Sequence, residues 1–216
     1  MFASTTTVAL SLLGLLGLSS AIPTPVELAP RCGTTLVPTF LQQVSEANPS
    51  LVETNTMSTG GDFLVSQSVA ANGQIINRIY QIAAFENIPS GSYGCQLAVT
   101  FPPNYPITST GVPTLNVTTL FNGQSSSIAF PNSISWSTLY PPTSPPFGQG
   151  LFGTVTMTPG TTQVINSEAC PIGGGNLAFL FSIAVWETQA ASVEFNEYVN
   201  AINGAGLAGV YLTYDC

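Results

Sequence analysis

The chain has 216 residues, 44% of them hydrophobic and only 6% charged, so it can fold around a sizeable core and is unlike a disordered segment. Its net charge of −8 includes just two basic residues, Arg31 and Arg78, with no lysine and no histidine. That balance argues against nucleic-acid binding and against anionic membrane surfaces, and it leaves histidine- and lysine-based catalysis without a residue to use.

Residues 1–21 read as a signal peptide. An apolar run from Val8 to Leu18 is followed by Ser19-Ser20-Ala21, the small residues of a cleavage site. The run is too short to span a bilayer, and Pro23 and Pro25 follow at once. Residues 22–31 form a Pro-rich lead-in or a short pro-segment ending at Arg31. The remaining residues, 32–216, are expected to form one domain. The predicted location is therefore extracellular or in the cell wall.

The first mature stretch predicts one short N-terminal helix. Leu36, Phe40, Leu41 and Val44 fall at helical spacing, Pro38 suits a first turn, and Asn48-Pro49 stops it. From there the texture is β. Strands are predicted at Asp62–Ala70, Gln74–Glu86, Cys95–Phe101, Thr114–Phe121, Leu151–Thr158, Leu177–Glu187, Ser192–Val199 and Leu207–Tyr214. Asn72-Gly73 is a hairpin signal between the first two. Leu115, Val117, Thr119 and Phe121 alternate with polar neighbours, as in a half-buried strand. Ala178 to Trp186 is almost continuously apolar and predicts a central strand buried on both faces. The segment from Tyr140 to Phe147 is too proline-rich for a central strand and predicts a surface loop. The fold class expected is all-β: an antiparallel β-sandwich or jelly-roll-like domain of about eight strands.

Four cysteines, Cys32, Cys95, Cys170 and Cys216, allow three disulfide pairings. The expected pairs are Cys32–Cys216, tying the ends of the mature domain, and Cys95–Cys170, bridging its middle. With long spacings and no histidine, a zinc site is poorly supported. Asn116-Val117-Thr118 is an N-glycosylation sequon, and alternation in its strand would leave Asn116 facing solvent, opposite Leu115 and Val117.

For chemistry, carboxylates remain. Glu86 and Glu187 close two apolar strands, and Trp186 precedes Glu187. The sharp reading is a glycosidase-like carboxylate pair, which needs a separation of roughly 5–9 Å, beside an aromatic sugar platform. The plain reading is two solvated strand ends and a core tryptophan, with alternation sending Trp186 and Glu187 to opposite faces. Tyr93, Tyr105, Trp136, Tyr140 and Phe147 lie in or beside loops, where they either stack on sugar rings or pack into the core. No D-x-D-x-D cluster supports a calcium site, and no cofactor or metal is expected.

RIYQIAAFENIPSGSYGCQLAVTFPPNYPITSTG at 78–111, SISWSTLYPP at 133–142, LFGTVTM at 151–157 and GAGLAGVYLTYDC at 204–216 resemble the fungal ubiquitin-three-binding-protein C-terminal domain family. The resemblance runs from about Thr39 to Cys216 and rests on strand-and-turn patterning around Cys95. It implies a fungal source, an extracellular β fold and no assigned catalytic residues. Together the readings predict a secreted or cell-wall protein without evident catalytic function, binding wall polysaccharide or an extracellular protein. The alternative is a glycan-active hydrolase.

Overall fold

The computed structural model describes residues 33–121, 132–142, 148–197 and 206–216. Within them the chain forms β1 (Thr34–Leu36), β2 (Phe40–Ser45), β3 (Asp62–Val69), β4 (Ile75–Ile88), β5 (Cys95–Thr100), β6 (Thr108–Thr110) and β7 (Leu115–Phe121). A four-residue helix α1 (Trp136–Leu139) follows, then β8 (Gly148–Val155), β9 (Thr162–Glu168), β10 (Gly175–Ile183), β11 (Ala191–Asn196) and β12 (Gly209–Tyr214). All strand pairs are antiparallel. The all-β expectation is met, and each predicted strand has a counterpart. The signal peptide and lead-in, residues 1–31, lie outside the described residues.

The predicted N-terminal helix is corrected. Its residues form β1 and β2, and the short helix lies instead at Trp136–Leu139. The reason is that Phe40 and Val44 are four apart, a spacing that shares one face of a strand as readily as one face of a helix. Leu41 points to the opposite face, and both faces are buried, with all three side chains fully excluded from solvent. Consecutive apolar residues on a two-sided strand imitate a helical stripe.

The strands make two sheets. The smaller runs β1-β12-β5-β9; the larger runs β6-β11-β3-β4-β10-β7-β8, with β2 added to β4. In β4, Gln81 lies opposite both Gln43 and Phe181, and Ile79 opposite both Ser45 and Ser66. Strand β4 therefore carries β2 on one edge; on the other it carries β3 beside its first half and β10 beside its second. Gln81 fills the gap where β3 and β10 part. Its side chain accepts from Leu64 N at 3.1 Å and donates to Ile82 O at 3.2 Å. The Asn72-Gly73 hairpin is present, closed by Ala70 N–Gln74 O and Gly73 N–Ala70 O bonds of 2.8 Å.

The main core lies between the sheets. Leu97, Val99, Val210 and Leu212 from the smaller sheet meet Phe63, Val65, Phe85, Phe179, Phe181 and Phe195 from the larger. Phe63 stacks on Phe195 at 4.5 Å and meets Phe181 edge-on at 5.2 Å. Each such ring contributes about 2–3 kcal/mol through burial, and the ring pairs about 1 kcal/mol more. A second apolar layer covers the outer face of the larger sheet, where Phe40, Val44, Ile82, Leu120 and Leu180 meet Ile134, Trp136 and Leu139. Strand β10 thus serves both layers, Phe179 and Phe181 facing one and Ala178 and Leu180 the other. This is the doubly buried strand expected from its sequence.

Candidate functional site at the end of the central strand

Strand β10 stops at Ile183, opposite Leu115. One more backbone bond, Ala184 N to Thr114 O at 2.9 Å, completes the ladder, and Glu187 N then turns back onto Ala184 O at 2.9 Å. The tip of this tight turn holds Val185 and Trp186, which are 84% and 57% exposed. Trp186 is therefore not a core tryptophan. Strand alternation does not apply to it or to Glu187, because both lie in the turn rather than in the strand.

The turn is braced from below. Gln67, buried at the end of β3, donates through Nε2 to Glu187 O at 2.7 Å and to Gln189 O at 2.8 Å. Register places Gln67 opposite Ala191, so β3 directly supports the start of β11. Two carbonyls that a loop would otherwise leave to water are held on one side chain, which fixes the turn's shape.

Facing it is the connection between β6 and β7. Gly111, Val112 and Pro113 form one bank of a groove, and Glu187, Gln189, Ala190 and Ala191 the other, enclosing about 290 Å³. Much of that space is open to solvent, and the enclosed part, about 90 Å³, is a shallow notch smaller than a ligand pocket, able to seat part of a ring rather than engulf it. Val112 has φ 155° and is exposed. A β-branched residue in that region costs about 1–3 kcal/mol, and such strain concentrates at binding sites. The Glu187 carboxylate spans the banks, its Oε1 accepting from Thr114 N at 3.3 Å.

The proposed carboxylate pair is not formed. Phe85, next to Glu86, lies opposite Leu177 at the start of β10, whereas Glu187 follows its end. The seven steps from Asn176 to Ile183 span roughly 23 Å, far beyond the roughly 5–9 Å a glycosidase needs. The two carboxyls with raised affinity for protons are elsewhere. Glu168 on β9 is pushed up to about 7 by desolvation, and one of its oxygens is buried without a partner. Glu197, beyond β11, is fully buried and raised well above the usual range by the same cause, opposed by a 2.6 Å bond from Val210 N. Register sets Glu168 opposite Cys95, and Val210 opposite Val99 four residues farther along β5, about 13 Å. These two do not form a catalytic pair either. Neither stood out in the sequence, where nothing separates a buried glutamate from a solvated one.

Among the loop aromatics, Tyr93 and Tyr140 are exposed at 61% and 43%, while Tyr105 and Trp136 are buried; Phe147 lies outside the described residues. Tyr140 packs on Trp136 at 4.9 Å, and Trp136 on Tyr80 at 4.9 Å. Burial raises the phenol pKa of both tyrosines. The Arg78 guanidinium lies 5.0 Å over the Trp136 ring and is held by Glu46 through Nε–Oε2 (3.1 Å) and Nη2–Oε1 (2.5 Å). These bonds lower the Glu46 pKa. The cluster reads as the clasp that seats α1 on the outer face of the sheet.

Asn116 does not face solvent. It is only 9% exposed, on an inner strand between β10 and β8, and its side-chain oxygen is buried without a partner. The alternation is real, since Leu115 and Val117 do face the other way, but the face left to Asn116 is itself covered. Cys95 and Cys170 are joined as expected. Cys216 is also disulfide-bonded, and its expected partner Cys32 lies outside the described residues. Among the described residues no three metal-ligating side chains converge, and no helix is long and apolar enough to cross a membrane.

No protein-family model matches the chain, and no curated protein matches it.

Proposed function

We propose that this protein is an exported, disulfide-linked binding module of the fungal extracellular space or cell wall, which holds a glycan on the Ala184–Glu187 turn and the groove beside it. The observation that carries this reading is Trp186. Its indole is more than half exposed on a two-residue tip, and the turn beneath it is pinned by a buried glutamine. Leaving a large aromatic in water forgoes about 2 kcal/mol of burial, and a rigid exposed ring offers a flat apolar face to the C–H face of a sugar. The small groove begins at Glu187, the next residue along the turn, and with Gln189 it offers hydrogen-bonding groups close to the indole in the chain.

Export is supported by the leader pattern at residues 1–21 and by the Cys95–Cys170 bridge, which persists in oxidising compartments. The family resemblance supports a fungal source. Hydrolysis is the weaker reading, because Glu86 and Glu187 stand at opposite ends of β10.

The test is retention on insoluble chitin and β-glucan and on a glycan array, comparing the secreted protein with Trp186→Ala. Expected is binding without release of soluble sugar, weakened at least tenfold by Trp186→Ala. Absence of binding to every glycan, or full binding by the variant, overturns the reading.

A further inference from the structure

Building on that glycan-binding reading, we infer that the groove beside Trp186 selects a cationic amino-sugar chain, a hexosamine polymer with free amines, over a neutral one. The inference starts from Glu187. Its carboxylate lines the groove and has one protein partner among the described residues, the long 3.3 Å bond from Thr114 N to Oε1. Its second oxygen is left for a ligand.

Among the described residues no protein cation is placed against this charge. Of the chain's two basic residues, Arg78 is held by Glu46 and Trp136 on β4, and Arg31 lies outside the described residues. The other groove residues, Gly111, Val112, Pro113, Gln189, Ala190 and Ala191, are uncharged. Among the described residues, Glu187 is therefore a carboxylate at the proposed binding surface without a countercharge.

A protonated amine on a pyranose ring meets both features. The sugar ring lies over one part of the indole face and its ammonium over the rest of that face, within reach of the carboxylate, gaining ion pairing and cation–π attraction. An acetylated or hydroxylated ring keeps the stacking and loses both charge terms. The net charge of −8 adds long-range attraction for a polycation and repels anionic chains, an effect that salt screens.

The test measures binding of fluorescent hexamers of glucosamine, N-acetylglucosamine and β-1,3-linked glucose at mildly acidic pH and low salt. The wild type is expected to bind the free-amine hexamer roughly tenfold tighter than either neutral one. Glu187→Gln keeps an oxygen for Thr114 N and is expected to bind all three equally, at the neutral-sugar level. Ala190→Lys, which brings a cation to the same bank, is expected to do the same. Trp186→Ala is expected to weaken all three. Equal binding of the three hexamers by the wild type, or a preference that survives Glu187→Gln, overturns this inference and leaves the glycan reading standing. Failure of the wild type to bind any hexamer overturns both.

Discussion

The backbone of Gly209 lies against the carboxyl of Glu197 so closely that a Cβ there would come within 2.6 Å of Oε1 and nearer still to Oε2. The glutamate leaves the end of β11, in the larger sheet, and accepts from Val210 N in β12, in the smaller one. It is a polar clasp between the two layers of the sandwich. Gly209 also has φ +99°, a conformation that side chains rarely adopt. Gly209→Ala is thus penalised twice, by strain and by collision, and is expected to cost about 3 kcal/mol, lowering Tm by roughly 6–12 °C. Gly73→Ala, with φ +82° and open space around it, isolates the strain at about 1 kcal/mol. Equal losses in the two variants, measured by thermal unfolding, would show that the carboxyl does not fill the space.

Glu197 and Glu168 together set the direction of pH dependence. Both have folded-state pKa values raised by burial, Glu168 to about 7. Between the unfolded carboxylate value, about 4.3, and the raised values, the native state holds protons that the unfolded state has released. Stability therefore falls as pH rises through that window. Glu168 contributes a loss of roughly 1–2 kcal/mol, complete by about pH 7, once its partial exposure is allowed for. Glu197, raised by the same cause, adds a loss of the same sign. Glu46 acts oppositely: its lowered pKa gives stability that is present above the ordinary carboxylate range and lost as pH falls. Maximum stability is expected near pH 4–5. Glu197→Gln, which retains an acceptor for Val210 N, is expected to flatten the alkaline arm. Melting curves from pH 3 to 9 that rise toward pH 8 would contradict this.

The parts of the fold legible in the sequence were those whose pattern has one physical cause. Ala178–Ile183 reads as a doubly buried strand because no polar residue but Ser182 interrupts it, and Asn72-Gly73 reads as a hairpin because Gly73 takes φ +82°. Strand β9, TQVINSE, escaped because it is a polar edge strand, and β6, TST, because it is three exposed residues. Glu187 and Trp186 read as the end of an apolar strand with a core tryptophan, whereas they stand in the turn past Ile183 with Trp186 exposed and Glu187 far from Glu86. Register decides which strand ends meet, and local composition carries no register. The burial of Glu197 depends on Gly61 and Gly209, both distant in the chain or beyond a loop, and no local signal announces it.

The disulfides are testable through register as well as chemistry. Thr34 lies opposite Tyr214, and Gly33 N reaches Asp215 O at 3.3 Å. Peptide mapping without reductant is expected to recover Cys32–Cys216 alongside Cys95–Cys170; Cys32 joined to any other cysteine would break the expected register. The Cys95–Cys170 bridge spans 75 residues, and replacing both cysteines by alanine is expected to cost about 4 kcal/mol through the freed unfolded chain.

Asn116 offers the sharpest check on the outer layer. It shares a face of β7 with Leu120 and lies opposite Ser182 on β10, on the side where Leu120 and Leu180 meet Ile134 and Trp136. A glycan on its Nδ2 needs a path to water, and at 9% exposure with its side-chain oxygen buried the native strand leaves little room for one. The sequon is formally complete, so sequence alone argues for modification and burial argues against it. The secreted protein is expected to carry an unmodified Asn116, seen as an unchanged intact mass after enzymatic removal of N-glycans. A glycopeptide containing Asn116 would mean that the second apolar layer stands open at β7 in the native molecule, and in a Trp186→Ala background, where Trp136 is the sole tryptophan, exposed-type fluorescence would report it.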